Sequence, residues 1–252
     1  MFFGPEKDVE LGRKYAPQIE KALGGRIPDE NIQRYIHQVG QKIARVCHRP
    51  DLSYSFAAVE QGGANAIAMP GGYVFITKGL LMELKSEAQL AAVLGHEVGH
   101  VVARDSMAAI SRQIGMTALV AAAHVGNAPG DVTRATHFIT SVLTLQYSRE
   151  DEKEADLVGM SYMTQAGYDP NGMVETMQAL QELQTYRPIE FFSTHPNPER
   201  RIAYLEERIA RRYATMGTLK TGEQEYAAKI LTPLNERKDR VRTQKHQAAA
   251  GE

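Results

Sequence analysis

The chain has 252 residues, of which 43% are hydrophobic and 23% are charged, a composition typical of a globular protein with one large core or two small ones. Its formal net charge is -1 and its lysines and arginines are spread along the chain, so the sequence offers no basic surface for nucleic acid. Cys47 is the only cysteine, which excludes an intramolecular disulfide and a cysteine-rich zinc finger. Any metal site must therefore use histidine and carboxylate ligands.

The first third of the chain contains helical and strand patterns. Hydrophobic periodicity predicts two amphipathic helices, over residues 6–23 and 29–47. A β-rich region follows, in which three strands are predicted: residues 53–59, 64–69 and 73–77. The turn Pro70-Gly71-Gly72 joins the last two strands. We expect a small antiparallel sheet.

The rest of the chain is predominantly helical. Ser86 is a good N-cap for an apolar helix that carries the segment HEVGH. An apolar stretch to Val125 and the loop GNAPGD precede a long helix predicted from Thr133 to about Gln165. Further amphipathic helices are predicted over 171–186, 199–213 and about 223–242. No apolar run reaches the ~18 residues that a membrane-spanning helix needs.

The segment HEVGH has the spacing of a metal site. On a helix, His96 and His100 project from one face and can reach a single Zn²⁺. Glu97 then lies beside the open position of the metal, where it can take a proton from an activated water and deliver it to a leaving amine. Three polar groups in a buried apolar helix are costly unless a metal or a polar network satisfies them. The motif predicts catalytic zinc.

The residues after His100 restrict the third ligand. A metzincin would continue with glycine and histidine, but the corresponding positions hold Ala103 and Ser106. Residues 105–148 contain no glutamate, so a glutamate ligand must come from Glu150 or later. The acidic cluster SREDEKEAD offers three candidates, and helical spacing alone does not choose among them: Glu150, Glu152 and Glu154.

The order of these motifs resembles a family of proteins. HEVGH followed downstream by YSREDEKEAD is similar to the zinc metallopeptidases that include the CaaX prenyl endopeptidase, HtpX, the Oma1-type and the BepA-type proteases. Their second motif, E-x-x-x-D, falls on Glu152 and Asp156. The resemblance implies that Glu152 is the third zinc ligand and that Asp156 accepts a hydrogen bond from a ligand histidine and orients it.

Two other segments extend the resemblance to about residues 6–213. NAIAMPGGYVFITKGLL resembles the segment before the metal helix, and FFSTHPNPERRI resembles the downstream His-Pro segment of the family. The implied fold is α+β and predominantly helical, a gluzincin-like metallopeptidase domain over residues 1–215 with a small antiparallel sheet beside the HExxH helix. Residues 216–252 are predicted to form a polar C-terminal extension, part helix and part disordered.

Two residues outside the ligand set are candidates for the active site. His195 lies in an irregular loop, and in relatives the matching histidine approaches the zinc. It is predicted either to donate a hydrogen bond to the oxyanion or to be a fourth ligand that shuts the site. Arg149 is predicted as an oxyanion donor or a partner of the ligands, with a helix-surface arginine as the alternative.

A strand next to the metal helix is the candidate substrate site. The alternation Tyr73-Val74-Phe75-Ile76 fits a strand with one buried face. We expect this strand to pair with the backbone of an extended substrate. Pairing of this kind selects flexible or unfolded protein segments with little side-chain preference.

These features predict a zinc-dependent endopeptidase with one Zn²⁺ per chain that cleaves unfolded or misassembled proteins. The alternative is a chaperone-like binding protein with a latent, self-inhibited protease site. Resemblance to the soluble BepA-like branch implies a periplasmic location, a role in envelope protein quality control and association with envelope assembly proteins. The first residues lack a basic segment followed by an apolar one, so a cytoplasmic location stays open.

Overall fold

A computed structural model describes residues 4–112, 131–186, 188–196 and 198–250. Residues 113–130, which hold most of the predicted apolar stretch ending at Val125 and all but the last residue of the loop after it, lie outside the described residues. The helices are α1 (Pro5–Ala22), α2 (Glu30–Ala44), α3 (Lys78–Leu81), α4 (Glu87–Ala103), α5 (Asp131–Leu143), α6 (Arg149–Gln165), α7 (Asn171–Gln184), α8 (Phe191–Thr194), α9 (Pro198–Arg212), α10 (Glu223–Tyr226) and α11 (Thr232–Ala250). The strands are β1 (Ser55–Val59), β2 (Ala66–Met69) and β3 (Tyr73–Thr77). Residues 105–112 are also helical, and a π-helical turn, Ala227–Leu231, joins α10 to α11.

Side-chain caps fix where α2 and α4 begin. The Asp29 carboxylate accepts hydrogen bonds from the first-turn N–H groups of α2, at 3.0 and 3.2 Å. The Ser86 hydroxyl accepts one from Gln89 N at 3.1 Å and starts α4. These contacts confirm the two helix starts predicted from the sequence. Among the described residues, no helix combines the length and the apolar character that a bilayer span requires.

The sheet is mixed, so the prediction of an antiparallel sheet was wrong for one of its pairings. The strand order is β1-β3-β2, with β1 parallel to β3 and β2 antiparallel to it. The turn at Gly71 and Gly72, with φ values of 82° and 91°, joins only β2 to β3. The alternation of apolar residues along β1 does not show whether this strand pairs in the parallel or the antiparallel orientation. The loop after β1 carries the chain to the opposite edge of the sheet, where β2 lies.

The predicted long helix is two helices. α5 ends at Leu143 and α6 begins at Arg149, with Ser148 as its N-cap. The Ser148 hydroxyl and the Asp151 carboxylate each accept a hydrogen bond from the other residue's N–H, a reciprocal capping box. The break brings Tyr147 N within 3.3 Å of Thr194 O, so the segment before α6 lies beside α8.

α4 lies at the centre of the domain and is buried from Glu87 to Val101. It crosses α6 so closely that a Cβ on Gly159 would lie 2.7 Å from the backbone carbon of Gly95. Glycine at these two positions therefore permits the approach of the two helices. The crossing sets the acidic first half of α6 against the histidines of α4.

The region predicted as a C-terminal extension packs against the domain, and its contacts continue to Arg237, which donates to Glu60 Oε1 at 2.6 Å. Lys220 forms backbone hydrogen bonds with Gly167 and Asp169, each 3.0 Å long. Tyr226 is fully buried and donates its hydroxyl to Leu81 O at 2.7 Å. Leu234 belongs to the main hydrophobic core, so residues 216–234 contribute to the domain itself.

Candidate metal centre

Three histidines and one glutamate bring their metal-binding atoms together in a buried cluster. One ligand atom from each of His96, His100, Glu152 and His195 lies within 4.8 Å of the other three. His96 Nε2 lies 3.1 Å from both His100 Nε2 and His195 Nδ1. His195 Nδ1 lies 2.8 Å from Glu152 Oε1. Tetrahedral Zn²⁺ with bonds of about 2.0–2.1 Å separates its ligand atoms by about 3.3 Å, so the cluster can hold such an ion.

Three elements of the fold supply the four residues of the cluster. His96 and His100 lie one turn apart on α4, and Glu152 lies in the first turn of α6. His195 is the residue that ends the short helix α8, where its N–H donates to Phe191 O at 2.8 Å. The cluster therefore depends on the α4–α6 crossing and on the loop that carries α8.

Glu97 lies beside the cluster with neither carboxylate oxygen hydrogen-bonded within the described residues. It is fully buried, and its Oε1 atom lies 3.5 Å from His195 Nε2. Burial raises the pKa of Glu97 above its ordinary value. A buried carboxylate without a partner is costly unless a ligand satisfies it, and a raised pKa suits a group that accepts a proton.

Carboxylates hold the outer nitrogen of both α4 histidines. His96 Nδ1 lies 2.9 Å from Asp156 Oδ1, the carboxylate predicted to orient a ligand histidine. His100 Nδ1 lies 2.8 Å from Asp105 Oδ2, a contact that spacing did not predict. In the neutral ring, donation from Nδ1 leaves the Nε2 lone pair facing the cluster. Burial lowers the pKa of His96; it also acts to lower that of His100, but Asp105 and Glu152 outweigh it and raise that pKa to about 9.

A buried arginine, Arg201, connects two of the acidic residues. Its Nε and Nη2 atoms donate to the Asp156 carboxylate at 2.8 and 2.7 Å, and its Nη1 atom contacts Glu152. Burial acts to raise the pKa of Glu152, but neighbouring positive charge, including this guanidinium, holds it well below its ordinary value. Arg149 is exposed at the start of α6. The arginine beside the cluster is therefore Arg201, and the exposed position of Arg149 fits the helix-surface alternative rather than the inward role.

Tyr147 is a further residue of the site that the sequence did not single out. Its ring stacks on that of His100, with centroids 3.7 Å apart and planes 7° apart. Its hydroxyl lies 2.9 Å from Ser106 Oγ, which in turn donates to Ala68 O on β2 at 2.8 Å. The only sequence signal for Tyr147 was its place in the YSREDEKEAD segment, and nothing in that segment indicates contact with His100 or Ser106.

The strand predicted to bind substrate is the central strand of the sheet. β3 is hydrogen-bonded to β1 on one side and to β2 on the other, so it has no free edge. Val74, Phe75 and Ile76 are all buried, so the strand has buried side chains on both faces rather than one, and only Tyr73 is half-buried. The predicted pairing of substrate with this strand was therefore wrong. The edge strand that packs against α4 is β2.

The chain is similar to known metallopeptidases and proteases. The chain is 37% identical over 180 residues to the mitochondrial metalloendopeptidase OMA1 of Schizosaccharomyces pombe, covering 69% of this chain and 52% of that protein. It is 32% identical over 201 residues to the putative beta-barrel assembly-enhancing protease of Vibrio cholerae, covering 74% and 41%. It is 28% identical over 149 residues to the metalloprotease LoiP of Escherichia coli, covering 58% and 59%.

The chain spans about half the length of these relatives. The sequence profile of Peptidase family M48 matches residues 30–209, which include all four residues of the cluster and Glu97. The resemblance to zinc metallopeptidases is thereby confirmed at the level of the family: this chain belongs to peptidase family M48.

Proposed function

We propose that this chain is a zinc-dependent endopeptidase that hydrolyses peptide bonds in unfolded or misassembled proteins. The observation that carries the proposal is Glu97, a buried carboxylate without a hydrogen-bond partner in the described structure, beside a cluster of four metal-binding side chains. Relatives that align over most of this chain are named endopeptidases or proteases, which supports peptide-bond hydrolysis. The names of these relatives do not favour the alternative, a binding protein whose proteolysis is shut off.

The catalytic residue is Glu97, acting first as a base and then as an acid. When bound, zinc supplies a Lewis acid that polarises the substrate carbonyl and makes a water molecule acidic. Glu97 takes one proton from that water as the water oxygen adds to the carbonyl carbon. It then passes the proton to the amide nitrogen as the C–N bond breaks, which gives a carboxylic acid and an amine.

The surrounding residues hold the ligands in place. His96, His100 and Glu152 would bind the metal, while Asp156 and Asp105 fix the two imidazoles through their Nδ1 atoms. Arg201 binds the carboxylates of Asp156 and Glu152, neutralises their charge and orients them. Because these groups are buried, their geometry is set before substrate arrives.

His195 is proposed as a fourth ligand that closes the site. Its Nδ1 atom lies among the metal-binding atoms, whereas a catalytic zinc site needs an open position. The same loop also contacts the segment just before β2, since Phe191 N donates to Ala64 O at 2.9 Å. We therefore propose that the loop moves away when substrate pairs with β2, which would free a metal position.

Turnover of unfolded casein tests the proposed activity. Zinc-loaded protein is expected to cleave casein, and a chelator is expected to stop cleavage until zinc is restored. Casein binding without cleavage, under conditions that open the loop, would support the binding protein instead.

His195→Ala at saturating zinc tests the closed state. Turnover should rise, because the variant opens one metal position. Glu190→Gln is the matched control: Glu190 lies on the same loop, and its carboxylate accepts a hydrogen bond from Gln61 at 2.9 Å without touching the metal cluster. Loosening the loop in this way should raise turnover by a smaller factor. Turnover of His195→Ala below that of wild type would overturn the closed state. It would instead favour His195 as a hydrogen-bond donor to the oxyanion of the transition state.

We also infer a periplasmic location and contact with envelope assembly proteins, supported by relatives in Vibrio cholerae and Escherichia coli that are named beta-barrel assembly-enhancing proteases. Cell fractionation of the protein expressed from its native gene should find it in the periplasmic extract. Recovery in the cytosol would contradict the inference.

A further inference from the structure

The residue that ends the metal helix has an unusual backbone conformation. Arg104 has φ 63° and ψ 30°, and it is the only described residue other than glycine with a positive φ. The left-handed conformation costs a side-chain-bearing residue roughly 1–2 kcal/mol, and glycine usually occupies this position. Surrounding contacts must therefore hold Arg104 in place.

A carboxylate from the N-terminal helix supplies such a contact. Asp8 on α1 is buried, and both of its oxygens accept hydrogen bonds from the Arg104 guanidinium, at 2.5 and 2.7 Å. This two-pronged geometry is the strongest form of an arginine–carboxylate pair. α1 is itself seated tightly on the β2–β3 turn: a Cβ on Gly12 would lie 2.1 Å from Pro70 O, and one on Gly71 would lie 2.7 Å from Asp8 O.

The turn at Arg104 directs the next two residues into the metal site. If α4 continued as a helix, Asp105 would be rotated by about 140° from His100 and could not reach it. With the left-handed turn, the Asp105 carboxylate lies 2.8 Å from His100 Nδ1. Ser106 then donates to Ala68 O and contacts the hydroxyl of Tyr147, the ring that stacks on His100. Two separate contacts on His100 thus depend on one turn.

We propose that Asp8 and Arg104 are positioning residues for the metal site: the ion pair holds the left-handed turn that aims Asp105 and Ser106 at the surroundings of His100. The proposal rests on the proposed zinc function. It extends the site to α1, because Asp8 lies outside residues 30–209, which match the family profile. Neither residue touches the metal-binding atoms, so each acts through the turn.

The test compares four variants of the full-length chain: Asp8→Asn, Arg104→Ala, Arg104→Gly and the double variant Asp8→Asn/Arg104→Gly. Zinc affinity is measured by competition with a chromophoric chelator, and ligand geometry is read from the visible spectrum of the Co²⁺-loaded protein. Glu10→Gln is the matched control, because Glu10 is an exposed carboxylate on the same helix that pairs with Lys7.

Asp8→Asn and Arg104→Ala should each weaken zinc binding by roughly 10-fold or more and alter the Co²⁺ spectrum, as loss of groups that orient ligands does. Arg104→Gly should bind zinc more tightly than Arg104→Ala, because glycine adopts the left-handed turn without a clamp. Adding Asp8→Asn to Arg104→Gly should cause little further loss. Glu10→Gln should match wild type.

Wild-type zinc affinity and an unchanged Co²⁺ spectrum in folded Asp8→Asn and Arg104→Ala would overturn the proposal. Equal affinities for Arg104→Gly and Arg104→Ala would also overturn it, and this comparison stands even if Asp8→Asn does not fold. Failure of wild type to bind zinc would instead overturn the proposed function, so the two failures are distinguishable.

Discussion

Two glutamates are buried on the same helix, and only one of them is satisfied. Glu87, at the start of α4, accepts hydrogen bonds from Tyr35, Tyr168 and Lys220 at 2.7, 2.6 and 2.8 Å. Glu97, further along α4, has no hydrogen-bond partner in the described part of the chain. The exposed fraction of each side chain is 1% or less, so burial does not distinguish them.

The difference separates a structural carboxylate from the one that we propose to be catalytic. Burial acts to raise the pKa of Glu87, but the bonds from Lys220, Tyr168 and Tyr35 outweigh it, so that pKa lies below its ordinary value. Burial raises the pKa of Glu97, and the surrounding groups do not reverse the shift. Glu87 should therefore contribute to folding stability, whereas Glu97 carries a cost that only a ligand or a reaction relieves.

The largest expected effect is on activity, from Glu97→Gln. Casein turnover should fall by roughly 100-fold to 10,000-fold, because the amide cannot accept a proton. The free energy of unfolding should not decrease, since a neutral amide is cheaper to bury than a carboxylate that accepts no hydrogen bond. Casein turnover is measured at matched zinc content, and the free energy of unfolding is measured by urea unfolding. A stability loss as large as the one expected at Glu87 would remove the distinction between the two residues.

Glu87→Gln should show the reverse pattern. The free energy of unfolding should fall by about 2–3 kcal/mol, because two tyrosines and a half-exposed lysine lose a charged acceptor. Turnover per folded molecule should stay close to wild type. The control is Glu207→Gln, which removes an exposed carboxylate paired with Arg211 and should change stability by less than about 0.5 kcal/mol. Equal losses in the two variants would show that the buried hydrogen bonds contribute little.

The smallest expected effect is the pH dependence of the stability difference between wild type and Glu87→Gln. The folded-state pKa of Glu87 lies below the ordinary 4.5, so its contribution is fully present above pH 4.5 and is lost as pH falls through the folded value. The stability gap between wild type and Glu87→Gln should be constant from pH 7 to 5 and narrow under more acidic conditions. Urea unfolding of both proteins across this range measures it; a gap that widens in acid would contradict the assigned direction.

Local signals predicted much of the fold and the centre of the site. The caps at Asp29 and Ser86 and the helix around His96 follow from short-range patterns, which the neighbouring residues largely determine. The choice of Glu152 needed the family resemblance, because spacing on α6 left three glutamates equivalent. The direction of β1 was not predictable in this way, since a short apolar strand can pair in either orientation.

The missed residues of the site share one physical cause. Arg201, Asp105 and Tyr147 acquire their roles from contacts across the fold, so no spacing in the sequence points to them. Arg201 stands next to Arg200, and only the packing of α9 distinguishes the buried arginine from its exposed neighbour. Asp105 reaches His100 only because the turn at Arg104 is left-handed.

X-ray absorption at the zinc edge, on protein loaded with one equivalent of Zn²⁺, tests most directly whether this cluster is the metal site. The account predicts nitrogen and oxygen ligands at about 2.0–2.1 Å, with scattering from three imidazoles. It also predicts that His195→Ala removes one imidazole and leaves two. A wild-type site with only two imidazoles would contradict the closed state, and one with fewer than two, or protein that binds no zinc, would contradict the assignment of the cluster as the metal site.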